Sequence, residues 1–251
     1  MNVQQAEHGV QPANGIGRER LPVGPPDMGV RGADSLSVTV VTLFRTAILV
    51  IAPAVMLVGG GYHPWIGNPG DPGFFQTLAA AVTADATRWW IAHFLIAVGS
   101  GLLVIAFLAT RSYLRDAGEG RWSVIGLPFI VMGSTLYALL PAMEFAPVGA
   151  FRTGADIAAV QAALMPWFGP ILLASAVLFA LGVLGFVIGI IRSDALSPWL
   201  TWIVAGALVA MAASRFFPVG VAQLYAGPAA GVVALWAMAY AIWKRPQQAF
   251  R

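Results

Sequence analysis

The chain has 251 residues, 59% of them hydrophobic and only 10% charged, with a net charge of +3 and a mean hydropathy of +0.78. Soluble domains carry about 25% charged residues, and a soluble fold of this length has too little interior to hide so much apolar surface, so a bilayer must supply the missing solvent. Cysteine is absent, which excludes disulfides, thiolate metal sites and cysteine nucleophiles, and the small positive charge suits anionic lipid headgroups rather than nucleic acid.

Residues 1–34 are polar, rich in Gly, Pro, Gln and Asn, and Val23-Gly24-Pro25-Pro26 cannot sit inside a helix. They are expected to form a disordered cytoplasmic tail, too long and too polar to be the charged start of a cleavable signal peptide. The apolar run from Leu36 to Gly60 is long enough to span, since about 20 residues cross about 30 Å of hydrocarbon. Arg45 lies inside it and is expected to snorkel to the inner headgroups. In the loop that follows, Asp71 is expected to cap a helix with Pro72 at its first position. Phe75, Leu78, Val82, Ala86 and Trp89 recur at helical spacing, which predicts a short helix in the outer interface.

The second span is expected over Trp89–Thr110 and the third over Trp122–Met143, joined by the charged turn Arg111–Arg121. Thr153 and Asp156 have capping-box spacing ahead of a second interfacial helix, Ile157–Met165. Pro166 then opens the fourth span, Trp167–Ile191, and Pro198 opens the fifth, Trp199–Ser214. The sixth, Val221–Trp243, stops at Lys244-Arg245-Pro246, which gives a transmembrane domain over residues 35–245 and a cytoplasmic tail over 246–251.

Eleven of the 14 Lys and Arg residues fall on the side of the termini, and only Arg88, Arg152 and Arg215 on the other. The positive-inside rule therefore places both chain ends in the cytoplasm of an inner membrane. Each outward helix closes at a Pro-Gly corner: Pro64 with Gly67, Pro147 with Gly149, and Pro218 with Gly220. The predicted fold is thus all-α, with six transmembrane helices as three consecutive helical hairpins and short interfacial helices in the first two outer loops. The spacings Ala97/Gly101, Gly185/Gly189 and Gly227/Gly231 would let helices approach closely.

Ionisable groups inside a membrane point to function, and four candidates gather on the outer side: His63, His93, Glu144 and Arg215. Glu144 and Arg215 sit three residues before their corner prolines and read as an ion pair that fixes helix rotation, a gate or headgroup site, or two separate solvated side chains. His63 and His93, with Glu144, are a chemically plausible metal set, although their separation has no helical ligand spacing. No phosphate-binding glycine loop, no Gly-x-Ser-x-Gly elbow and no chain of acids across the membrane is present, so no catalytic set is assigned.

The Trp-x-x-x-His opening of the second span, Trp89 to His93, together with Ala/Gly/Leu/Val-rich hairpins and short Arg turns, resembles a broad group of uncharacterised multi-pass membrane proteins of high-GC actinobacteria. The resemblance covers about residues 36–245, implies no activity, and does not extend to the long Pro/Gly-rich tail.

The favoured reading is a non-catalytic integral inner-membrane protein without a cofactor. It would pack with itself or partner subunits, or hold a lipid or apolar ligand in an outer vestibule. One alternative is a small-solute transporter or channel lined by Glu144, Arg215 and His93. Another is a metal- or haem-dependent redox protein using His63 and His93.

Overall fold

The computed structural model describes residues 28–217 and 220–249, with side chains over 38–217 and 220–244. The chain divides into two units, residues 1–38 and 39–251. The described part of the first is the opening of a helix. The expected tail over residues 1–34 lies outside the described residues as far as position 27, and helix begins at Met28.

Eight α-helices make up the described chain: α1 (Met28–Tyr62), α2 (Phe74–Ala84), α3 (Ala86–Asp116), α4 (Trp122–Met143), α5 (Phe145–Thr153), α6 (Ile157–Arg192), α7 (Pro198–Ala213) and α8 (Gly227–Ala249). A 3-10 turn at Ser214–Phe216 closes α7 and a π-helical turn at Val221–Ala226 opens α8. Six helical stretches are long and apolar enough to cross a membrane. Their outward faces agree: Phe44, Leu173, Leu184, Trp202, Val209 and Val233 are all exposed, a surface that water would not support but lipid does. The features are those of a multi-pass membrane protein.

Small residues set the packing. A Cβ built at Gly133 of α4 would lie 2.5 Å from the Phe179 backbone nitrogen of α6, and one at Gly185 would lie 2.8 Å from Gly126 Cα. The two backbones therefore touch, which only glycine permits. Gly99 of α3 meets the Met56 backbone of α1, and Gly231 of α8 lies 3.0 Å (from its built Cβ) from the Met211 sulfur of α7. Gly101 meets nothing within 4 Å, so the small-residue face of α3 is turned by two residues from the expected one. The Trp236 indole N–H donates to Val50 O at 3.1 Å and ties α8 to α1. Buried Ser100 and Thr110 donate to the carbonyls of Ile96 and Ala106 one turn back, so neither hydroxyl is left bare in an apolar interior.

Several expected boundaries differ. Asp71 does not cap α2. Its carboxylate accepts from the Asn68 amide at 2.7 Å within a tight loop, and α2 starts after Gly73, whose φ is 77°. Asp156, not Thr153, caps α6 by accepting from Ala159 N at 3.0 Å. Residues 157–165 are then the first turns of one 36-residue helix that continues through Pro166 and Pro170, not a separate interfacial helix. Arg45 reaches Asp116 at 2.7 Å and Ser112 Oγ at 2.6 Å on α3 in place of the headgroups.

At the arginine-rich end, Glu119 folds back over the start of α4. Its carboxylate accepts from the Arg121 amide at 2.8 Å and the Ser123 amide at 3.2 Å, satisfying donors that a helix N-terminus leaves bare. Burial pushes this carboxyl up, but these hydrogen bonds outweigh it and hold Glu119 below the usual carboxylate range. Gly189 of α6 leaves the room for it, because a Cβ there would sit 3.2 Å from a Glu119 oxygen.

Candidate functional site

The site lies at the opposite end of the bundle, where the 63–73 loop folds across α3, α4, α6 and the π-helical turn. The His63 amide donates to Gly59 O at 3.0 Å and closes α1. Arg88 donates to Tyr62 O at 2.9 Å and holds that end against α3. Gly67 takes a left-handed turn (φ 83°), and the Asn68 side chain accepts from the Gly220 amide at 3.3 Å, tying the loop to the start of the last span. Pro64 and Gly67 are thus in an irregular loop, whereas Pro147 and Gly149 lie within α5, and Gly220 opens helix. Pro218 lies outside the described residues. The described corners share a sequence pattern but not a backbone geometry.

Beneath the loop is a cavity of about 220 Å³. Trp65, Phe74, Tyr137, Leu140, Phe168 and Leu172 form much of its wall, and His63, His93, Glu144 and Gln223 supply its polar groups. Three rings cluster at one side, tilted or edge-on to one another. His63 and His93 have centroids 4.8 Å apart, and Trp89 lies 4.7 Å from His93 and 5.3 Å from His63. The Trp89-to-His93 spacing puts both on one face of α3, and His93 Nδ1 lies 2.8 Å from Trp89 O. A carbonyl only accepts, so Nδ1 carries the proton in this assignment. Burial, reinforced by the nearby Arg88 charge, pushes the His63 imidazole down to about 4, so it is neutral at pH 7.

Glu144 caps the end of α4 and is 8% exposed. Its backbone carbonyl accepts from the Trp89 indole at 3.0 Å. One carboxylate oxygen accepts from the Gln161 amide at 2.8 Å, and the other, Oε2, is buried without a hydrogen-bond partner. The expected ion pair with Arg215 does not form among the described residues. Arg215 is 5% exposed and lies over aromatic faces instead, 3.6 Å from the Phe179 centroid and 4.3 Å from that of Tyr137. It lines a separate cavity of about 20 Å³, room for roughly one water. Tyr137 and Gln223 line both cavities.

No family model, curated protein or solved structure matches this chain.

Among the four candidates, then, His63, His93 and Glu144 share one cavity and Arg215 has a different one. Among the described residues no three of His, Asp and Glu come close enough to hold a metal ion, so the set His63, His93 and Glu144 is not assembled as metal ligands. Three contributors escape sequence reasoning. Trp89 enters the sequence pattern only as the opening of the second span yet is fully buried, and neither Tyr137 nor Gln161 carries an expectation there. Gln161 carries the one signal that was available: a lone amide in the apolar run Ile157–Met165 needs a buried partner.

Proposed function

We propose that the protein is a non-catalytic integral inner-membrane protein that holds a small apolar ligand in the cavity beneath the 63–73 loop. The observation that carries this is the cavity itself: about 220 Å³, walled by aromatic and aliphatic side chains, with few polar groups placed in its wall. Ligand sites have this composition, and protein interiors otherwise pack closely enough to leave few voids larger than a water. The arginines gathered at the other end, among them Arg45, Arg115, Arg121 and Arg192, support an orientation with both termini cytoplasmic and the cavity in the outer half of the membrane. Three consecutive hairpins, with α2 lying in the outer interface, fit this orientation. The ligand would enter from lipid or from the outer face.

Toluene uptake tests the proposal. Purified protein in nanodiscs should bind toluene saturably, and Leu140→Trp, which fills the cavity from α4, should abolish the saturable component. Uptake that only follows lipid content, equal in both proteins, would overturn it.

A further inference from the structure

We infer that the natural occupant of this cavity is a small organic ammonium ion with an apolar body. The inference rests on the ligand-holding reading above and goes further, to the chemical class of the ligand.

The polar groups in and beside the cavity wall are rich in acceptors. Glu144 is more than nine-tenths buried, lines the cavity, and has one oxygen free of partners. Gln161, which holds the other oxygen, has its own carbonyl oxygen free as well. His93 commits its Nδ1 proton to Trp89 O, which leaves the lone pair on Nε2. The Glu144 carbonyl is already taken by the Trp89 indole. An acceptor-rich pocket calls for a donor-rich guest, and an alkylammonium head brings three N–H donors.

Charge narrows the class further. Among the described residues no Lys or Arg forms a salt bridge to Glu144, and Arg215 lies over the Phe179 and Tyr137 rings beside the separate smaller cavity. A neutral alcohol or phenol can satisfy one hydrogen bond at Glu144 Oε2, whereas an ammonium ion also brings the counter-charge that an ionised Glu144 needs in a buried site. A bare metal ion would need more ligands than these polar groups, and among the described residues no three of His, Asp and Glu come close enough to hold one. An organic cation supplies the charge, the donors and the apolar body together. The aromatic side chains Trp65, Trp89, Tyr137 and Phe168 in the wall suit a cation as well as an apolar group. Size agrees, because a cavity of about 150 Å³ takes benzene. The 220 Å³ here leaves room for a ring and one ammonium group.

The test is calorimetric titration of the full chain in nanodiscs of zwitterionic lipid at pH 7 with three probes of one shape: benzylammonium, benzyl alcohol and toluene. Benzylammonium should bind about tenfold tighter than benzyl alcohol, and Glu144→Gln should remove that preference. Equal affinities for the three probes, or a preference that survives Glu144→Gln, would overturn the ammonium assignment and leave the apolar-ligand reading standing. Failure of every probe to saturate the wild type would overturn both. Should Glu144→Gln not fold, the wild type decides alone. Labelling of Glu144 by an apolar carbodiimide should be slowed by benzylammonium at about tenfold lower concentration than by benzyl alcohol, and equal protection at equal concentration would overturn the assignment.

Discussion

Trp89 shows how far one side chain's role departs from its address. A tryptophan where a span begins ordinarily meets headgroups, yet this one is fully buried, its indole spent on Glu144 O and its ring against His63 and His93. Burial among these rings makes His63 a sensor of acid. Its imidazole titrates near 6.5 when free and near 4 when folded. Between those values the unfolded chain binds more protons than the folded one. The contribution is therefore complete above pH 6.5 and is lost as pH falls through the window toward 4. Full loss is on the order of 3 kcal/mol. Melting temperatures recorded from pH 7 to pH 4 should fall more steeply for the wild type than for His63→Phe, and parallel curves would refute this role.

At the scale of the element, glycine decides which helices touch. The α4–α6 contact is backbone on backbone at Gly126, Gly133, Gly182 and Gly185. Gly133→Ala would thrust a methyl group against the Phe179 backbone and should destabilise by about 1–3 kcal/mol, as overpacking does. Gly206 of α7 meets nothing within 4 Å, so Gly206→Ala should be neutral or stabilise by up to about 1 kcal/mol through helix propensity. Unfolding titrations in mixed micelles compare the two, and equal effects would refute the contact. Glycine counts alone would not separate these positions, because Gly185 and Gly101 look alike in sequence while one is in contact and the other is open. Helix ends are similar. Both Asp71 and Asp156 look like caps, but only Asp156 has its carboxylate on a free amide of the following helix.

For the whole molecule, the distribution of charge sets the expected topology. Eleven of 14 Lys and Arg residues fall in segments expected on the side of the chain ends, and of these Arg45, Arg115, Arg121 and Arg192 make contacts at the end opposite the cavity. Reporter tags fused at the two chain ends should both report cytoplasm, and a tag inserted after Gly70 should report the opposite side. Opposite locations for the two ends would refute the arrangement.

Six spans, their order and their approximate limits were legible from the amino acids alone. The free energy of moving a helix into lipid is a sum over its own residues, and each segment carries that sum whatever its neighbours do. Which face of each helix turns inward was not legible. In a bilayer the lipid-facing and core-facing sides are both apolar, so the periodicity that orients a soluble helix is nearly absent. Glu144 and Arg215 therefore looked like partners because they stand at matching places in the sequence. Helix rotation decided otherwise: it turned Arg215 onto Phe179 and Tyr137, brought Gln161 to Glu144, and left an open cavity between His93 and that carboxylate.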